Sequence, residues 1–156
     1  MRIGLPATAR RVELCTKSKV NKKIHRASER KLKLLGEFSD RKGLTAAIQK
    51  LDREWDTERV LEANAAALTA AAAVLTLKKG RVWSLLSGAV SFFLMAHALI
   101  GWCPPLPVIR RLGIRTPKEI QNEKMELKAI RGDFNGLPEK KTLFRTVKIM
   151  RAVEKE

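Results

Sequence analysis

Residues 82–109 read VWSLLSGAVSFFLMAHALIGWCPPLPVI and contain no Asp, Glu, Lys or Arg. The uncharged helix-forming part, Val82 to Trp102, spans about 31 Å at 1.5 Å per residue, enough for a bilayer core of about 30 Å. Pro104 and Pro105 then remove two backbone donors and bar the preceding residue from helical geometry. A second apolar run lies just upstream. Ala63 to Leu77 is mostly alanine, interrupted by Asn64, Thr69 and Thr76. Alone it covers only about 22 Å, and Val60 and Leu61 lengthen it by a turn if Glu62 snorkels or pairs. The short link Lys78-Lys79-Gly80-Arg81 joins the two runs. The expected unit is an antiparallel membrane hairpin with apolar runs at about 61–78 and 82–103.

The three tryptophans support that reading. Trp55 precedes the first run, Trp83 opens the second and Trp102 closes it. Indole favours the membrane–water interface, where the ring is half apolar and its N–H finds water or headgroups. In an antiparallel hairpin Trp55 and Trp102 mark one face of the membrane and Trp83 the other.

Outside the hairpin the chain is charged. The net charge of the 156 residues is +16. Residues 1–62 hold 16 Lys and Arg against 9 Asp and Glu, and residues 104–156 hold 13 against 7. Such an excess calls for an anionic partner: lipid headgroups, an acidic protein or nucleic acid. Lipid is the expected target, because it needs only charge and apolar stripes. Nucleic acid is disfavoured, since the arms offer only Phe38, Phe134 and Phe144 for stacking and no groove-reading module. Cys15 and Cys103 lie far apart, neither in a CxxC pair, so no disulfide framework is expected and a reducing compartment suits the arms. The first thirty residues hold no long apolar run, so no secretory signal is expected.

Three segments follow. Residues 1–43 are a basic arm with one or two short polar helices over 8–35, broken at Gly36 and at 39–43. Residues 44–116 hold an amphipathic lead-in helix and the hairpin. Leu44, Ala47, Ile48, Leu51 and Trp55 recur at helical spacing, so this helix is expected to run straight into the first apolar run. After the hairpin, apolar residues alternate with Arg110, Arg111 and Arg115, as expected for a segment in the headgroup region. Residues 117–156 are two amphipathic helices. Thr116-Pro117-Lys118-Glu119 has the form of a capping box with proline at the first helical position. Ile120, Leu127, Ile130 and Phe134 share one face of the helix that follows. The last helix is expected from Pro138, with Leu143, Val147 and Met150 as its apolar stripe and Lys141, Arg145, Lys148 and Lys155 on another face.

The stretch from Trp55 to Phe134 resembles the YgaP-like transmembrane domain family, a bacterial inner-membrane helical hairpin. The residues that carry the resemblance are Glu54-Trp55-Asp56 and Arg59-Val60-Leu61-Glu62 before the first run. Gly101-Trp102-Cys103-Pro104-Pro105 and Arg111-Leu112-Gly113-Ile114-Arg115-Thr116 follow the second, and Glu119-Ile120, Glu123 and Leu127 to Phe134 continue it. The resemblance implies a membrane anchor that self-associates. Its founding type attaches the hairpin to a rhodanese sulfurtransferase domain. No such domain is recognisable here: neither Cys15 nor Cys103 opens the cysteine turn that a rhodanese needs, so that activity does not carry over.

Individual residues carry weaker signals. Cys103, near Arg110 and Arg111, is a candidate reactive thiol that would bear a persulfide, a soft metal or a lipid. The bland reading is a small residue buried at a Pro-Pro corner. His97, inside the second run, is a candidate ligand or proton-path residue. Alternatively it bonds a neighbouring helix. No second histidine lies in either run to complete haem ligation. Ala63, Ala67 and Ala71, with Ser84, Ser87, Gly88 and Ser91, form small-residue stripes that permit close helix packing, within the hairpin or in a dimer. Trp55, Trp83, Trp102, Arg110, Arg111 and Arg115 are the expected membrane-interface residues. No HExxH, GxSxG, Walker-type or GxGxxG pattern occurs, so no catalytic residue, metal or cofactor is expected.

The sequence thus predicts an all-α protein, a two-helix transmembrane hairpin flanked by amphipathic basic helices. It is expected to be a non-catalytic anchor or scaffold at a bacterial inner membrane, a homo-oligomer or a subunit of a membrane complex. Both termini are expected in the cytoplasm by the positive-inside rule. The alternative is a thiol-based sulfur or redox carrier using Cys103.

Overall fold

The computed structural model describes residues 4–135, and among these all regular structure is helical. The elements are α1 (Arg11–Leu14), α2 (Ser18–Phe38), α3 (Arg41–Asp52), α4 (Thr57–Lys79), a 3-10 turn (Arg81–Trp83), α5 (Ser84–Ile100), α6 (Leu106–Arg111) and α7 (Pro117–Arg131). The expected last helix, from Pro138 with Leu143, Val147 and Met150, lies outside the described residues.

Helices α4 and α5 form the hairpin. The 23 residues of α4 give about 34 Å of helix, and α5 with its 3-10 turn gives about 32 Å. Both match a bilayer core of about 30 Å. Among the described residues, two helices are long and apolar enough to cross a membrane. Their outward faces carry Leu68, Val74, Leu77, Leu85, Phe92, Met95 and Leu99, all exposed in the isolated chain. Water would penalise so large an apolar surface, whereas lipid accepts it.

Sequence reading and structure differ on where the first span begins. The amphipathic helix does not run straight into it. Helix α3 stops at Asp52, and Asp56 starts α4 afresh by accepting a hydrogen bond from the Arg59 amide at 2.8 Å. Trp55 therefore lies in the connection, half exposed, with the Arg59 guanidinium 5.1 Å above its ring.

Of the expected small-residue stripes, which permit packing within the hairpin or in a dimer, the hairpin's inner face uses little. Beyond its first turn, the half-buried and buried positions of α4 are Val60, Leu61, Ala65, Thr69, Ala72, Leu75 and Thr76, and those of α5 are Ser87, Val90, Ala96 and His97. Ala63, Ala67, Ala71, Ser84, Gly88 and Ser91 are exposed, and a Cβ added at Gly88 would meet nothing within 4 Å. Two residues along a helix is about 200° around it, so the Ala63 stripe faces away from the seam that Leu61 and Ala65 share. Within the chain, only Ser87 of the expected set lies toward the seam.

Beside the hairpin's open end sits a three-helix cap built from α2, α3 and α7. Its core is Leu44, Ile48, Leu51 and Leu127, with Leu32, Leu35, Ala47 and Ile120 packed around it. The stripe read from α3 is buried as expected, Trp55 apart. Helix α2 runs through Gly36 to Phe38 rather than breaking there. Gly36 lies against Ile130 of α7, where a Cβ would still make ordinary contact at 3.7 Å. The break comes at Ser39, and Asp40 caps α3 by accepting from the Gly43 amide at 2.8 Å. The Thr116–Glu119 capping box forms as expected, with reciprocal bonds of 2.7 and 3.2 Å. A backbone bond from Thr57 to the Arg115 carbonyl, 2.9 Å, ties the cap to the first span.

Candidate functional site

The hairpin's foot closes on a second small core: Val12 of α1, Leu61 of α4, Cys103, and Leu106 and Ile109 of α6. Two backbone features shape it. Gly101 ends α5 in the left-handed region at φ 82°, which an L side chain rarely adopts. The backbone of α1 also crosses directly over it, so a Cβ at Gly101 would lie 2.5 Å from the Arg11 carbonyl group. Pro104 and Pro105 then turn the chain into α6.

This corner holds a chain of polar side chains. His97, in the last turn of α5, is 2% exposed, and its Nε2 lies 3.0 Å from Oε2 of Glu58 in the first turn of α4. Arg11 donates to the other oxygen of Glu58 at 3.1 Å. Cys103, 3% exposed, lies near the same imidazole. His97 Nδ1 is buried without a hydrogen-bond partner. Cys15 donates its S–H to the Ile100 carbonyl at 3.3 Å and packs against the core that contains Cys103. Two candidates read separately, His97 and Cys103, thus belong to one cluster. Its third member, Glu58, was missed. The signal was available: the first turn of one span and the last turn of the other lie at the same depth in an antiparallel hairpin. Packing around Cys103 encloses the sulfur. No group of side chains suited to a metal ion occurs among the described residues.

Below this corner two arginines are consumed internally, a departure from the headgroup-facing role expected of them. Arg110 is 1% exposed. It donates to both oxygens of Glu119 at 2.7 Å, to Asn21 Oδ1 at 2.9 Å and to the Ile114 carbonyl at 3.0 Å. Arg115 makes a fork to Glu54, 2.7 and 2.5 Å, and also meets Glu123 and Ser28. Lys31 of α2 donates to Glu123 at 2.6 Å. A carboxylate nine residues beyond Arg110, and for Arg115 one eight residues beyond and one 61 residues before, make burial possible where the local alternation suggests exposure. Arg111 and the three tryptophans do stay at the surface.

Charge pairing sets the ionisation here. Burial pushes the Glu119 carboxyl up, but bonds from Arg110 and the Thr116 amide outweigh it and hold the group below the usual range. Glu123 behaves alike: Lys31, Ser28 and Arg115 overcome burial and lower it. For Arg115 burial works against the charge, and Glu54 and Glu123 more than offset it.

The geometry defines a helical membrane hairpin with a folded basic cap. Residues 56–119 match the family model described as inner membrane protein YgaP-like, transmembrane domain, and are similar to it over that stretch. The match begins at the residue that caps α4 and ends at the Arg110 partner Glu119. It includes Glu58, His97 and Cys103, and leaves Arg11, Glu54 and Glu123 outside. No curated protein and no solved structure matches the chain.

Proposed function

We propose that this membrane protein is a non-catalytic anchor that presents its basic cap to a partner complex or to a second copy. The site is the cytoplasmic face of a bacterial inner membrane, with both termini cytoplasmic. The observation that carries this reading is the division of the molecule. The hairpin's outer surface is apolar along its length, while buried pairs of Arg110 and Arg115 fix the cap to its foot. A cap held this way transmits position, which is what a tether needs. The outward stripes at Ala63, Ala67, Ala71 and at Ser84, Gly88, Ser91 support self-association in lipid. Orientation follows from charge: Arg53 and Arg59, with Arg110, Arg111 and Arg115, flank the open end against Lys78, Lys79 and Arg81 at the closed end. Crosslinking in native membranes, then purification, should recover a second copy or a fixed partner in constant ratio. Recovery of the uncrosslinked chain alone would refute the tether.

A second reading rests on the Glu58–His97–Cys103 cluster: a thiol-based sulfur or redox carrier. Alkylation in native membranes separates the two. A structural corner keeps Cys103 unmodified until the fold is opened, whereas a carrier has Cys103 readily alkylated or already carrying sulfur.

A further inference from the structure

Between α2 and the turn that joins α6 to α7 runs an open groove of about 320 Å³. Lys23 and Lys31 line it from α2, and Arg110, Arg111 and Arg115 from the other side. One carboxylate lines it, Glu123, and that group is held by Lys31 and Arg115. Lys23 and Arg111 are exposed and make no ion pair among the described residues. Two uncompensated cations in a groove whose one lining carboxylate is already paired describe a place prepared for an anion.

The surroundings identify the anion's carrier. The groove is walled by Ile24 and Leu112, and Leu112 is 75% exposed. Val108, one turn before it on α6, is also exposed. Helix α6 follows α5 after a short turn that holds the exposed Trp102, so this apolar rim stands next to the foot of the hairpin along the chain. A soluble anion has no use for such a rim, but the acyl chains of a lipid do. We propose that the groove is a headgroup site for one anionic phospholipid. Its phosphate sits between Lys23 and Arg111, and its chains lie along Val108 and Leu112 toward the spans. This rests on the membrane placement of the hairpin and goes beyond it by naming a site and a ligand class.

The test uses the full chain purified in neutral detergent, with native mass spectrometry against added phosphatidylglycerol, phosphatidylcholine and inorganic phosphate. The expected result is one retained phosphatidylglycerol per chain, preferred over phosphatidylcholine. The Lys23→Gln/Arg111→Gln variant should lose at least about tenfold in affinity, as removal of two near-surface cations implies. Lys22→Gln/Arg26→Gln removes the same charge from exposed positions of α2 outside the groove and should bind as wild type does. Hydrogen exchange of α2 and α7 checks that both variants stay folded. Equal loss in the two variants would overturn the proposal in favour of diffuse attraction. Phosphate competing as well as the lipid would overturn the lipid assignment in favour of a soluble-anion site. Absence of any headgroup preference would overturn it outright. Extraction of the protein by alkaline carbonate would instead disprove the membrane placement, and is read separately.

Discussion

Replacing Arg110 by leucine should loosen the cap from the hairpin. The guanidinium has no exposed side-chain surface and satisfies four acceptor positions: two on Glu119, one on Asn21 and the Ile114 carbonyl. Removing one partner of a buried pair costs about 3–5 kcal/mol, chiefly because the other charge is stranded. Glu119 keeps a fifth of its side chain in solvent and retains the Thr116 amide, so the lower end applies: about 3 kcal/mol. That is roughly a hundredfold rise in the opening equilibrium. Hydrogen exchange in detergent reads it directly: amides of α2 near Asn21 and the first turns of α7 should exchange about 100-fold faster, those of α5 hardly at all. Arg110→Lys keeps the charge but loses the fork, and should cost about 1.5–2 kcal/mol. Arg110→Leu with Glu119→Leu should recover part of the loss, since no unpaired charge remains. Exchange within a few-fold of wild type in Arg110→Leu would refute the view that this pair fixes the cap.

Other expectations follow from the same geometry. Gly101→Ala places a Cβ in the left-handed region and 2.5 Å from the α1 backbone, so protease should cut at Arg10 and Arg11 sooner, while Gly88→Ala should change nothing in the monomer. Glu119 and Glu123 have native pKa values held below the ordinary 4.5 of a glutamate; their contribution to cap stability is therefore complete above that value and lost as pH falls through the lower native ones, which an acid unfolding curve in detergent should show as a loss beginning below about pH 4.5. His97→Leu strands Glu58 beside Arg11 and removes the ring from the foot core, so Cys103 should alkylate faster than in the wild type without any change in the cap's exchange.

How far the sequence could be read depended on the reach of each signal. The hairpin was legible because its signals are local: an uncharged run, two prolines, tryptophans at its ends. So was the capping box at Thr116, whose partners are three residues apart. The stripe on α3 was legible from spacing alone. The three-helix cap was not, because α2, α3 and α7 come from parts of the chain that the hairpin separates, and nothing local shows that Leu44 meets Leu127. For the same reason Arg110 and Arg115 read as surface charges: their alternation with apolar residues is visible, but Asn21 and Glu54 as their partners are not. The small-residue stripes exposed a limit of another kind. In an alanine-rich helix several faces are small, and composition does not say which one meets the partner. Glu58 and His97 fell between these cases, since the pairing follows from the hairpin once its depth register is drawn.

The central claim is a hairpin that crosses the membrane with its cap on the cytoplasmic side. Lys79 is the most direct probe, since it ends α4 at the closed tip and is exposed. Gly80 is unsuitable because it lies at φ 106°. In a Cys15→Ser background, Lys79→Cys and Lys19→Cys are each treated with a membrane-impermeant maleimide in intact spheroplasts and after lysis. The account predicts that Lys79→Cys labels in intact spheroplasts and Lys19→Cys only after lysis. Labelling of Lys19→Cys from outside with Lys79→Cys protected would invert the orientation, and protection of both in intact spheroplasts would contradict the spanning hairpin itself.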